Sequence, residues 1–168
     1  MILDELAAYA SFRVAEVKKK IAADEMERKA RSLPKGDFRF EHALCNTGVS
    51  FICEVKRASP SKGLIAEDFP YVEIAREYEQ AGADCVSVLT EPKWFLGSDE
   101  IFKEIREAIT LPMIRKDFTV DAYQIYEAKC MGADAVLLIC ALLPPHYLKA
   151  HLKSQRKLLQ YVHGLYVQ

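Results

Sequence analysis

Several things are scarce in this sequence, and each scarcity removes a class of function. The formal net charge is only −1 over 168 residues, so no broad field draws in nucleic acid or an anionic membrane. An anionic ligand has to be held by local charges. The five cysteines form no C-x-x-C pair and the four histidines are scattered, which leaves no zinc spacing and no even-numbered disulfide framework. The cysteines read as small core residues of a reducing compartment. No G-x-x-x-x-G-K and no G-x-G-x-x-G occurs, so neither a Walker loop nor a Rossmann fingerprint is supported. The longest apolar run, Ala135 to Leu143, falls far short of the roughly 20 residues that span a bilayer. Acidic Asp4 and Glu5 stand where a signal peptide carries bases. The expectation is a cytoplasmic protein with no partner in nucleic acid or membrane.

What is present is an ordinary globular balance, 51% hydrophobic and 28% charged. Residues 3 to about 31 carry an apolar stripe at helical spacing (Leu6, Ala10, Val14, Val17, Ile21), and Lys18-Lys19-Lys20 reads as a solvated face. Pro34-Lys35-Gly36 closes that segment. A regular alternation follows. Ser50 to Val55, Cys85 to Leu89, Pro112 to Lys116 and Ala135 to Ile139 read as strands. Helices are expected over Val72 to Ala81, from Ser98 to Ile109, from Asp121 to Gly132 and from Pro144 to about His163, and Gly164 onward resembles a further strand. Gly82-Ala83-Asp84-Cys85-Val86 nearly recurs as Gly132-Ala133-Asp134-Ala135-Val136, an offset of 50 residues spanning two strand–helix units. Short apolar strands between helices predict a parallel sheet covered on both faces. That leaves an open doubly wound sheet or a (β/α)₈ barrel, and both place ligands beyond the C-terminal strand ends.

The strand ends carry the charge. Glu54 and Lys56 share one face of the first strand and Ile114 and Lys116 share one face of the third, with Arg115 and Asp117 opposite. An acid and a base on a buried strand are costly unless paired, so Glu54 and Lys56 read either as an interior ion pair or as working groups. A second lysine aimed at the same mouth favours an anion site or a general acid. The segment Arg57-Ala58-Ser59-Pro60-Ser61-Lys62-Gly63 suits an ordinary loop, a phosphate contact or a mobile lid. Trp94 and Phe95 after the second strand, and Phe118 after the third, either wall a flat ring or cover helix ends.

These residues resemble a known family. Cys53-Glu54-Val55-Lys56-Arg57-Ala58-Ser59-Pro60-Ser61-Lys62-Gly63 is similar to the first-strand signature of indole-3-glycerol phosphate synthases. Ser87-Val88-Leu89-Thr90-Glu91 with Phe95-x-Gly97-Ser98 resembles the second, Arg115-Lys116-Asp117-Phe118 with Gln124-Ile125-Tyr126-Glu127-Ala128 the third, and Gly132 to Ile139 the fourth. The opening helix resembles the one this family places before its barrel. The resemblance implies a (β/α)₈ TIM barrel, of which residues 48–168 supply strands one to four with their helices and a stub of strand five, after a helical extension and linker at 1–47, all in one partial domain. It implies a carbon–carbon lyase of tryptophan biosynthesis that needs no cofactor and no metal. The substrate is a small phosphorylated molecule, 1-(2-carboxyphenylamino)-1-deoxyribulose 5-phosphate, which undergoes ring closure, decarboxylation and dehydration.

By the same resemblance Lys116 is the general acid, Lys56 holds the anthranilate carboxylate and Glu54 orients the lysines. Ser59 lies near the anionic groups, and Phe95, Phe118 and Leu137 wall the aromatic ring. After Leu143 the resemblance thins. The family continues for about half a barrel more, with a strand-five glutamate, a strand-six asparagine and phosphate-binding loops after strands seven and eight. A chain of four units is therefore expected to be a poor or inactive catalyst and to self-associate through open strand edges. The rival readings are a Schiff-base, aldolase-like lyase using Lys116 or Lys56 and an inactive half-barrel fragment. Phosphoribosylanthranilate isomerases use a cysteine–aspartate pair, which Glu54-x-Lys56 does not match.

Overall fold

The computed structural model describes residues 2–143. The helix expected from Pro144 and the strand expected from Gly164 lie outside the described residues. The chain divides into two compact units. Among the described residues, a sheet unit holds 38–117 and 131–135, and a helical unit holds 2–37, 118–130 and 136–143.

In the sheet unit, α3 (Arg39–Leu44) precedes β1 (Ile52–Val55), a hairpin of β2 (Ala58–Ser59) and β3 (Gly63–Leu64), α4 (Tyr71–Gln80), β4 (Cys85–Leu89), α5 (Asp99–Ala108) and β5 (Met113–Lys116). The strand β6 (Ala135–Val136) begins in this unit, after α6 (Ala122–Cys130) of the other. The main sheet runs β1-β4-β5-β6, and β1 with β4 and β4 with β5 are parallel. Each strand neighbours the next strand of its kind in sequence, as in a (β/α)₈ barrel. The usual doubly wound orders reverse direction or skip a strand within four. Every residue of β4 is buried, as a strand covered on both faces requires.

Local chemistry explains the punctuation. At the end of α4, Gly82 adopts φ 84°. Its N–H reaches Glu79 O, and that of Ala83 reaches Tyr78 O, closing a Schellman turn that needs the left-handed region. Gly132 repeats that conformation after α6. The aspartates of the repeat also do one job twice. Asp84 Oδ2 accepts from Phe51 N and Asp134 Oδ2 from Met113 N, both at 2.8 Å, so each ties the start of its own strand to the neighbouring one. Ser98 caps α5, its Oγ accepting from Ile101 N at 3.1 Å.

One face of the sheet (Val55, Val86, Val88, Met113) packs on Ala75 of α4 and on Phe102 and Ile105 of α5. The other face carries Cys85 and Ile114 under Phe40 of α3. The helix α3 was not expected, because six residues are too few to show a periodicity. The β2–β3 hairpin likewise replaces what reads as a loop. The fourth strand is shorter than expected: Leu137 and Leu138 are buried but outside it, since an apolar run signals burial and not pairing.

In the helical unit the single helix expected over 3–31 is two, α1 (Ile2–Lys20) and α2 (Ala23–Ser32), with Ala22 extended at ψ 152°. The break lets Val14 of α1 and Met26 of α2 both pack on Tyr123 of α6. It also places acids Asp24 and Glu25 in a first turn and the three lysines in a last turn, as the helix dipoles favour. Lys18 leaves the expected solvated face to pair with Asp121 Oδ2 at 2.7 Å. The capping box of α6 is formed: Asp121 Oδ1 accepts from Tyr123 N at 2.9 Å, and Gln124 Oε1 accepts from Asp121 N at 3.3 Å.

The reading of the cysteines as core residues holds for Cys85 alone, whose thiol is pushed up to about 12 by burial. Cys45 and Cys130 are exposed, each at a helix end, and Cys53 and Cys140 are half-buried. Among the described residues no helix is long and apolar enough to cross a membrane.

Candidate active site

Strand register decides which side chains meet. Glu54 of β1 pairs with Ser87 of β4, Ser87 with Ile114 of β5, and Leu89 with Lys116. Paired residues of adjacent parallel strands project to the same side, and residues two apart repeat it. Glu54, Ser87 and Ile114 therefore form one layer, with Leu89 and Lys116 one pleat repeat nearer the C-terminal ends. Phe40 covers the lower part of this face beside Cys85 and Ile114.

On that floor the two lysines converge on one carboxylate. Lys56 Nζ donates to Glu54 Oε1 and Lys116 Nζ to Glu54 Oε2, each at 2.7 Å. Ser87 Oγ adds a third bond to Oε2 at 3.3 Å. All three charged side chains are about one-third exposed or less. Burial pushes the Glu54 carboxyl up, but the bonds and charges of Lys116 and Lys56 outweigh it and hold the group below the usual carboxylate range. The arrangement offers two ammonium donors above an anionic base. It can bind a carboxylate and deliver a proton to a carbonyl oxygen.

The remaining expected site residues fall as follows. Ser59 closes the β2–β3 hairpin, its Oγ accepting from Lys62 N at 3.3 Å, so the hydroxyl already serves the turn. Phe95 is half-buried in the loop between β4 and α5. Phe118 and Leu137 belong to the helical unit, where Phe118 O accepts from Gln124 Nε2 at 3.0 Å and Leu137 is buried.

Three groups near the strand ends carry no individual role in the sequence reading. Ser87 is a lone hydroxyl inside the apolar run Cys85 to Leu89, which was its signal. Glu91, two residues past that run, is buried. Arg115, on the helix-facing side, is 4% exposed; its Nε reaches Thr90 Oγ1 at 3.2 Å and its Nη2 reaches Asp99 Oδ1 at 2.8 Å. Thr90 Oγ1 in turn donates to Asp117 Oδ2 at 2.8 Å. This buried network ties the ends of β4 and β5 to the first turn of α5. Among the described residues no group of three or more His, Cys, Asp or Glu side chains is placed to hold a metal.

Comparison with known proteins completes the picture. A sequence model of the indole-3-glycerol phosphate synthase family matches residues 3–160. The chain is 52% identical to the indole-3-glycerol phosphate synthase of Ruminiclostridium cellulolyticum over 91% of its length, and 50% identical to that of Endomicrobium trichonymphae over 94%. It is 42% identical to that of Lachnoclostridium phytofermentans over 91%. It spans 59%, 62% and 61% of the lengths of these relatives. A solved structure of a mandelate oxidase variant with (S)-mandelic acid has a TM-score of 0.49 at 14% identity, covering 83% of this chain and 52% of that one; a likeness so slight has no bearing on chemistry. With its motifs, strand order and family match in agreement, the chain belongs to the indole-3-glycerol phosphate synthase family.

Proposed function

We propose that the Glu54, Lys56 and Lys116 centre serves the conversion of 1-(2-carboxyphenylamino)-1-deoxyribulose 5-phosphate to indole-3-glycerol phosphate, with release of carbon dioxide and water. The observation that carries this reading is the single carboxylate shared by ammonium groups from two different strands. Lys116 protonates the ketone oxygen as the ring carbon attacks the carbonyl carbon. Lys56 holds the ring carboxylate until that group leaves as carbon dioxide. Loss of the new hydroxyl as water then gives the indole. Glu54 orients both lysines, Ser59 lies near the anionic groups, and Phe95 walls the aromatic ring. This makes the whole protein a carboxy-lyase working in the cytoplasm without a cofactor. Two lysines that each donate to a carboxylate are arranged as acids and anion ligands, which favours this route over Schiff-base chemistry.

The test uses the chain extended by the part of the Ruminiclostridium cellulolyticum relative that it does not cover, with product followed by indole fluorescence. Lys116→Met is expected to lower kcat by about 10² to 10⁴, the usual weight of a general acid. Lys56→Met is expected to raise KM more than it lowers kcat. Unchanged kcat in Lys116→Met refutes the assignment, and a borohydride-trapped adduct on either lysine replaces it with a Schiff-base mechanism.

A further inference from the structure

Beyond the lysine centre, the loop from β4 to α5 is organised around one buried acid. Glu91 is 1% exposed, a position that costs a carboxylate heavily unless its oxygens are bonded. Three successive backbone amides supply the bonds. Lys93 N donates to Oε1 at 3.0 Å, Trp94 N to Oε2 at 2.7 Å and Phe95 N to Oε2 at 3.0 Å. The backbone of the same residue closes the far end of the loop, with Gly97 N bonded to Glu91 O at 2.9 Å. Gly97 is required there, because a Cβ would sit 2.1 Å from Leu89 O. The root of the loop is tied to the strand that carries the proposed acid, Thr90 N donating to Lys116 O at 3.1 Å. Side chain and backbone of Glu91 together therefore set where residues 93–95 lie relative to the end of β5.

We propose that Glu91 is a positioning residue for ring recognition: its carboxylate holds the backbone of Trp94 and Phe95 so that the Phe95 ring meets the aromatic end of the ligand. This rests on the reading of Phe95 as a ring wall. Glu91 itself touches no reacting atom. Its charge is spent on amide hydrogens, so its effect falls on ligand affinity and loop geometry and not on proton transfer.

Trp94 is the sole tryptophan of the chain, and Lys93 Nζ lies 4.4 Å from its ring centroid, so its emission reports the loop directly. The experiment compares the 168-residue chain with Glu91→Gln by tryptophan emission, acrylamide quenching and titration with anthranilate, with circular dichroism to establish the fold. The amide retains one acceptor oxygen but sets an NH₂ against a backbone N–H. The expected result is altered emission, easier quenching and about tenfold weaker anthranilate binding, the weight of one bond to a charged group. Unchanged emission, quenching and affinity overturn the proposal. So does a lower melting temperature with unchanged affinity in the folded protein, the signature of a merely structural role. Should Glu91→Gln fail to fold, Glu91→Asp, which keeps the charge but withdraws it by one methylene, takes its place with the same readouts. If the unaltered chain binds no anthranilate, the ring-wall reading falls and ring recognition with it, while emission and quenching alone still decide whether Glu91 sets the loop.

Discussion

Lys116 and Glu54 stand 62 residues apart in sequence, yet Lys116 Nζ lies 2.7 Å from Glu54 Oε2. The contact exists because β1, β4 and β5 are parallel neighbours whose register sets Lys116 on the same face as Glu54, one pleat repeat nearer the C-terminal ends. An isolated ion pair of this exposure contributes little to stability. Two cations on one carboxylate instead give the site its anion-seeking character.

Acid should weaken the fold through Glu54. Its carboxyl is held below the usual range by Lys116 and Lys56 against burial. A lowered folded value means that its contribution is complete above the ordinary glutamate value, about 4.3, and is lost as pH falls through the folded value. Glu54→Gln lacks that dependence and leaves the two ammoniums facing each other. Urea midpoints are expected to differ most between the two proteins at pH 7 and to converge as the pH falls below the ordinary glutamate range. A constant difference across that range contradicts the linkage.

Gly97→Ala places a methyl against the Leu89 carbonyl at 2.1 Å, too close without moving the backbone. Overpacking of this kind costs about 3 kcal/mol, and the expected readout is a lower urea midpoint with altered Trp94 emission. A stability equal to the parent shows that the loop can shift freely.

Arg115→Met removes a buried cation that bonds Thr90 and Asp99 and lies 3.9 Å from Asp117 Oδ2. Asp117 is 3% exposed, and breaking a buried ion pair on one side costs about 3 to 5 kcal/mol. Chemical denaturation should show a loss of that order, larger than that of the exposed-pair variant Arg28→Met.

Self-association is expected through β1, which is one of the two outer strands of the described sheet and has Val49 and Phe51 beside it at 79% and 60% exposure. Size-exclusion chromatography over a concentration series should show larger species that Phe51→Lys suppresses. A monomer at all concentrations removes this surface from consideration.

The amino-acid sequence by itself determined the alternation of helices and strands, the glycine and aspartate punctuation at Gly82, Asp84, Gly132 and Asp134, and the charged strand ends at Glu54, Lys56 and Lys116. Those features are set by neighbours within one or two turns of chain, where turn chemistry, capping and apolar spacing act. Only the tertiary structure decided that both lysines share Glu54, that Ser87 joins them, that α1 breaks at Ala22 and that Phe40 closes the lower face. It likewise made Glu91 a clamp, because no local spacing says whether an acid after a strand turns outward to water or inward to three amides. Each of these depends on register and packing between segments distant in sequence, and burial then selects the one arrangement that satisfies the buried charges.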